Sequence, residues 1–131
     1  MVQPALDRGE VVITDRYVDS SIAYQGAGRV LVAEEVTALQ RWATDDLRPH
    51  LTVVLDVAPD HGLGRFDARD RIEAEGHDFH ERARQAFLGF AAADPDHYLV
   101  LDARLPVEEI AAEIRAEVTP LLERAVREVQ A

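Results

Sequence analysis

Three short runs of β-branched and apolar residues constrain this chain most: "VVIT" (Val11–Thr14), "LTVVLDV" (Leu51–Val57) and "YLVLDA" (Tyr98–Ala103). Each is almost continuously apolar. A strand with one face in water alternates, whereas a strand covered on both faces does not. The segments between the runs repeat at helical spacing. Val32, Val36, Leu39, Ala43 and Leu47 fall at helical steps, as do Phe79, Ala83, Ala86, Phe87, Phe90 and Ala91. The last stripe is Val107, Ile110, Ala111, Ile114, Val118, Leu121, Leu122 and Ala125, with Pro120 expected to kink or break the helix. Strands alternating with helices predict an α/β fold: one domain over residues 1–131 with a parallel sheet and flanking helices. Pro49 in "LRPH" and Pro95 in "ADPDH" mark helix-to-strand connections.

Composition narrows the chemistry. There is no cysteine, hence no disulfide and no thiolate metal site. The formal charge of −11 argues against a nucleic-acid partner, which calls for a basic face. It leaves room for a small phosphorylated ligand held by a few arginines. All 14 basic residues are arginine and none is lysine. Arginine suits bidentate phosphate recognition, although a codon bias explains most of them as well. No apolar run approaches the ~20 residues of a membrane helix. "MVQPALDRGE" lacks a basic region followed by an apolar one, so a cytoplasmic protein with no membrane partner is expected.

Each run ends in or beside an aspartate: Asp15, Asp56 and Asp102. Ligands of open α/β sheets bind beyond the carboxyl ends of the strands, so these positions are where chemistry is expected. For Asp56 the preferred role is an N-cap or turn residue, and Asp102 is open between turn and site. The stretch "TDRYVDSSIAYQGAGR" (residues 14–29) is denser in polar groups than a connection needs. Arg16 can fork two N–H bonds onto a phosphate. Asp15 can hold Arg16 or bind a hydrated divalent metal. Ser21, Tyr24 and Gln25 lie three and four apart and share a helical face suited to a sugar and a base edge. A surface ion pair followed by a capped amphipathic helix satisfies the same pattern.

"DRYVDSSIAYQGAGR" closely resembles the nucleoside-monophosphate signature of bacterial thymidylate kinases. Its flanks resemble the family in order: "PALDRGEVVITDRY" before it, then "PHLTVVLDVAPDHGLGR" and "DRIEAEGHDFHERARQAFLGFAAADPDHYLVLDA". The resemblance implies a P-loop nucleoside-monophosphate-kinase-like fold and transfer of the γ-phosphoryl of ATP to dTMP with Mg2+. Residues 14–29 would bind dTMP and residues 64–78 would form the lid. Arg16 would grip the 5′-phosphate. Asp15 would orient Arg16 and reach magnesium through water. Ser21 and Gln25 would bond the thymine edge, and Tyr24 would lie against the deoxyribose. Ser20 would contact substrate or cap its own helix. Lid arginines Arg69 and Arg71 would neutralise the transferring phosphoryl group, with Arg65 on the ATP side and Glu73 on the dTMP side. Asp102, Ala103 and Arg104 resemble the loop that cups adenine. Family members form homodimers, to which Val36, Leu39 and Trp42 would contribute, or these side chains serve the chain's own core.

The resemblance covers roughly the C-terminal two-thirds of such an enzyme. A complete member begins with a strand and a Gly-x-x-x-x-Gly-Lys-Ser/Thr phosphate loop, and these residues hold neither. Val11–Thr14 and Leu51–Val57 would flank that strand. Without it the two runs are expected to pair directly, to take a strand from another chain, or to fold poorly. Little kinase activity is expected of these residues alone. The alternatives are a non-catalytic remnant that binds a nucleotide or a partner chain, and a kinase for another nucleoside monophosphate. "GAG" at 26–28 and "GLG" at 62–64 lack the third glycine of a dinucleotide fingerprint. His77 and His80 are better explained by a helix face than by a metal site.

Overall fold

The computed structural model describes residues 2–28, 38, 41–42, 44–59 and 76–130, with the backbone alone at 25–28 and 129–130. Helix α1 (Val2–Asp7) leads into an extended segment and then helix α2 (Val18–Gly28). Strand β1 (Thr52–Asp56), helix α3 (His77–Ala93) and strand β2 (Tyr98–Asp102) form a β-α-β unit, and helix α4 (Val107–Gln130) follows. The two strands pair in parallel, in register from Thr52 opposite Tyr98 to Asp56 opposite Asp102. Two of the three expected strands and the expected α3 are thus present. Gly9 closes α1 at φ 76°, a left-handed conformation that glycine adopts without strain. Its N–H and that of Glu10 bond back to the carbonyls of Leu6 and Ala5.

Helix α3 packs on β1 and β2 with one face and on α2 with another. Ala83 and Ala91 are buried along α3, and Ile22 and Ala23 along α2. These small residues let the two helices approach closely. Larger rings fill the seam. Tyr24 lies 5.9 Å from Phe79 and 6.2 Å from Phe87, and Phe87 meets Phe90 edge-on at 6.2 Å. Such offset and edge contacts add about 0.5–1.5 kcal/mol each beyond their buried area. Helix α3 stops at "ADPDH": the Asp94 N–H still reaches Phe90, then Pro95 opens a turn into β2.

Val11–Thr14 departs from expectation. It is extended but joins no ladder among the described residues, and it does not pair with β1. Val11 is 65% and Ile13 92% exposed. A β-branched run becomes a strand only when a neighbour takes its backbone groups, and none does here. Pro120 does not break the helix, because α4 continues through it. The Thr119 hydroxyl bonds to the Arg115 carbonyl beside it. Ala116, whose carbonyl loses its usual donor at Pro120, is exposed, so water can take that bond. In the expected helix around Val32–Leu47, Ala38 and Arg41–Trp42 are helical, a turn follows at Thr44–Asp46, and Leu47 lies outside it. Val36 and Leu39 fall outside the described residues. Trp42 is 81% exposed, so it is no core contact here.

Two tyrosine hydroxyls make long-range bonds around the start of α2. Tyr17 donates to the Leu47 carbonyl at 3.0 Å, and Tyr98 donates to the Asp19 carboxylate at 2.6 Å. Burial, followed by the bond to Asp19, raises the Tyr98 phenol above its ordinary 10.0. A raised folded-state value favours the neutral phenol in the folded chain, so its contribution is full below pH 10 and is lost as pH climbs further. Tyr98→Phe should therefore lower unfolding stability by about 1–3 kcal/mol, read from the urea midpoint at neutral pH. Tyrosinate absorbance should include a step above the ordinary range that is absent in the variant.

Candidate functional site

The polar stretch after Thr14 begins with a strained turn. Arg16 has φ 66°, which costs a side-chain-bearing residue about 1–2 kcal/mol. The Thr14 hydroxyl bonds to the Arg16 carbonyl at 3.0 Å across this turn. The conformation carries the Arg16 guanidinium over the Tyr24 ring, 5.2 Å from its centroid. Phe79 and Phe87 of α3 hold the same tyrosine from elsewhere. The chain thus brings together a cation and a phenol eight positions apart, with α3 as the support.

The remaining candidates of this stretch are less engaged. Asp15 is exposed and makes no ion pair among the described residues, with Arg16 or any other partner. Ser20 and Ser21 are partly buried, and the Ser20 N–H bonds to the Tyr17 carbonyl. The Gln25 side chain lies outside the described residues, as do Arg65, Arg69, Arg71 and Glu73 of the expected lid.

Two long-range bonds anchor the start of this stretch. Tyr98 and its register partner Thr52 begin β2 and β1, and Leu47 precedes β1. Asp19 accepts a bond from Tyr98, so the start of α2 meets the sheet at its amino-terminal end, while Tyr17 bonds to Leu47 ahead of β1. Asp56, Asp102, Ala103 and Arg104 occupy the opposite end, about 13 Å along five-residue strands. The structure brings Arg16 and Tyr24 together, and Tyr24 packs on Phe79 and Phe87, which flank Arg84, the partner of Asp56 at the carboxyl end.

The carboxyl ends hold two arginine–aspartate forks. Arg84 of α3 donates through Nε and Nη2 to the two Asp56 oxygens at 2.7 and 3.0 Å, and reaches Glu81 at 3.4 Å. Arg104 donates to Asp102 through its N–H and its guanidinium, the shortest contact being 2.7 Å. The bonds from Arg84 hold the Asp56 carboxyl below its usual range against the opposing effect of burial. Arg104 holds Asp102 at about 2. The parallel ladder runs one step further, from the Ala103 N–H to the Asp56 carbonyl at 2.9 Å, and the Leu105 N–H closes the turn onto the Asp102 carbonyl. Asp56, expected as a cap, is instead the partner of a helix arginine. Neither Arg84 nor its pairing stood out in the sequence. The available signal was the acid inside "TVVLDV", since a carboxylate among apolar strand residues needs a cation nearby.

Among the described residues no group of three or more His, Cys, Asp or Glu is placed to hold a metal ion. His80 belongs to no such group, and its buried Nε2 has no hydrogen-bond partner. No helix among them is long and apolar enough to cross a membrane.

The thymidylate kinase family profile matches residues 1–114. The thymidylate kinase of Clavibacter sepedonicus is 57% identical over 126 residues, which is 93% of this chain and 60% of that protein. That of Cutibacterium acnes is 56% identical over 95% of this chain and 61% of its own length. That of Bifidobacterium longum subsp. infantis is 48% identical over 98% and 55%. The chain thus spans about 60% of the length of these relatives, matching their C-terminal part.

The Arg104 fork sets a measurable titration. A lowered carboxyl value stabilises the folded chain above the ordinary 3.8, and that contribution is lost as pH falls toward about 2. The Asp102 side-chain carbonyl 13C shift should titrate near 2, and in Arg104→Gln its midpoint should move up toward 3.8.

Proposed function

The chain belongs to the thymidylate kinase family, and we propose that its residues supply the dTMP-binding segment and lid of a dTMP kinase, which transfers the γ-phosphoryl of ATP to dTMP. The observation that carries this reading is Arg16 resting on the face of Tyr24. A guanidinium over an exposed ring gains about 0.5–1 kcal/mol. A charge-assisted bond to phosphate is worth about 1.5–3 kcal/mol. The 5′-phosphate of dTMP therefore outcompetes the ring for Arg16, and the vacated tyrosine face accepts the deoxyribose. Ser21 and Gln25, on the same helix, contact the thymine edge, and Ser20 stands beside them.

Asp15 fits a magnesium ion held through water. It is exposed and outside any ion pair among the described residues, and Mg2+ commonly takes one or two carboxylates with substrate phosphates and water. Bound there, Mg2+ neutralises phosphate charge. Arg69 and Arg71 stabilise charge on the transferred group, with Arg65 beside ATP and Glu73 beside dTMP. Asp102, Ala103 and Arg104 face the adenine. Family members with complete chains would pair as homodimers, with exposed Trp42 available to such a contact.

Transfer also needs a phosphate loop, and these residues contain neither lysine nor that motif. A second reading follows from the same fact: a remnant that binds nucleotide without turning it over. Calorimetry with dTMP tests the binding role. Arg16→Ala should weaken dTMP by about tenfold or more, while Tyr24→Phe, which keeps the ring, should change it little. Equal binding by wild type and Arg16→Ala would sink the reading, and dCMP or AMP binding as tightly as dTMP would reassign the substrate. In a coupled ADP-release assay the 131-residue chain should show no turnover with ATP, Mg2+ and dTMP; robust turnover would refute the need for the missing motif.

A further inference from the structure

We propose that Arg84 is a positioning residue for the nucleotide-facing turn 102–105, acting through Asp56; this rests on the reading of that turn as the adenine side. Asp56 and Asp102 are register partners at the ends of two parallel strands, so two carboxylates stand side by side. Their mutual repulsion opposes the charge of each, as the effect of Asp102 on Asp56 indicates. The turn hangs on this step of the ladder, through the bond from the Ala103 N–H to the Asp56 carbonyl. Arg104 compensates Asp102 from within the turn. Arg104 acts on Asp56 only weakly and from a distance, and the cation that hydrogen-bonds Asp56 comes from another element, α3.

The geometry suits that task. Both groups are partly shielded, with side-chain exposures of 29% for Arg84 and 24% for Asp56. The two-pronged fork fixes the orientation of the carboxylate as well as its charge. Glu81 bonds the same guanidinium at 3.4 Å and holds it from the helix side. Removing Arg84 leaves a half-buried carboxylate facing a second one at the point where the turn joins the sheet. The ladder step bearing Ala103 then opens, and the turn loses its place relative to β1. Arg84 touches no nucleotide in this scheme.

Amide hydrogen exchange on the 131-residue chain tests the link directly. In Arg84→Met the Ala103 amide should exchange about tenfold faster, while amides deeper in β2 keep their protection. Arg84→Lys, which keeps the charge but not the fork, should fall between. The double variant Arg84→Met with Asp56→Asn, which removes the uncompensated carboxylate, should return Ala103 toward wild type. Unchanged Ala103 exchange in both single variants would overturn the proposal, as would a double variant no better protected than Arg84→Met. A separate arm uses the non-hydrolysable ATP analogue AMP-PNP as probe. It should slow Ala103 exchange in the wild type and bind about tenfold more weakly to Arg84→Met, with dTMP affinity unchanged. If AMP-PNP leaves the wild-type amide untouched, the adenine-side reading falls, and the exchange comparison still decides the role of Arg84.

Discussion

A ladder of two parallel five-residue strands is the constraint on which the rest of this structure depends. Parallel strands are stable when helices cover both faces and further strands cover both edges, and two strands alone are marginal. Here the ladder is one β-α-β unit, with α3 as its cover. Few hydrophobic side chains among the described residues are fully buried, and most of those are small or lie on α2 and α3. Hydrophobic burial contributes roughly 25 cal/mol per Å2, so a thin core leaves a large share of the organisation to directional contacts. Four such contacts span long stretches of sequence: Tyr17 to Leu47, Asp19 to Tyr98, Asp56 to Arg84, and Tyr24 to the rings of α3.

These contacts also explain what could be read from sequence and what could not. The apolar runs at 51–57 and 98–103, and the stripe from Phe79 to Ala91, encode local structure that their own β-α-β unit satisfies. Their element types were therefore legible. Val11–Thr14 has the same composition, but its strand character depends on a neighbour that composition cannot supply. Pro120 breaks a helix only where its orphaned carbonyl has no other donor, and α4 offers an exposed surface there. The pairing of Asp56 with Arg84 joins positions 28 apart through a crossover. Nothing local in "ERAR" separates Arg84 from other surface arginines. Arg16 and Tyr24 were each legible as candidates because both lie in one short polar stretch. That the guanidinium would rest on the ring depended on the left-handed turn at Arg16, which sequence does not announce for an arginine.

The family relationship and the geometry meet at the position of that stretch. The Asp19 tether binds the start of α2 to Tyr98 at the amino-terminal end of β2, while Tyr24, further along α2, reaches Phe79 and Phe87 on either side of Arg84, the partner of Asp56 at the carboxyl end. Phosphoryl transfer requires donor and acceptor within bonding reach. Along the strand direction α2 thus carries the stretch from the amino-terminal end of the sheet toward the other end. A strand pairing with both Val11–Thr14 and the open edge of β1 would align the end of the first with the end of the second.

Charge decides which cations remain for a ligand. With a net charge of −11, the default fate of an arginine in this chain is neutralisation by a nearby carboxylate. Arg84 and Arg104 meet that fate in two-pronged contacts, each of which must be broken before the guanidinium can serve an anion. Their value is structural: they set the angle of the strand ends and hold two adjacent carboxylates ionised. Arg16 is treated differently. Its left-handed backbone turns it away from Asp15, its immediate neighbour, and onto an aromatic face. A ring holds a cation without cancelling its charge and releases it for less than a carboxylate would. The strain at Arg16 thus accompanies a guanidinium that rests on a ring and in no ion pair among the described residues of a strongly acidic chain.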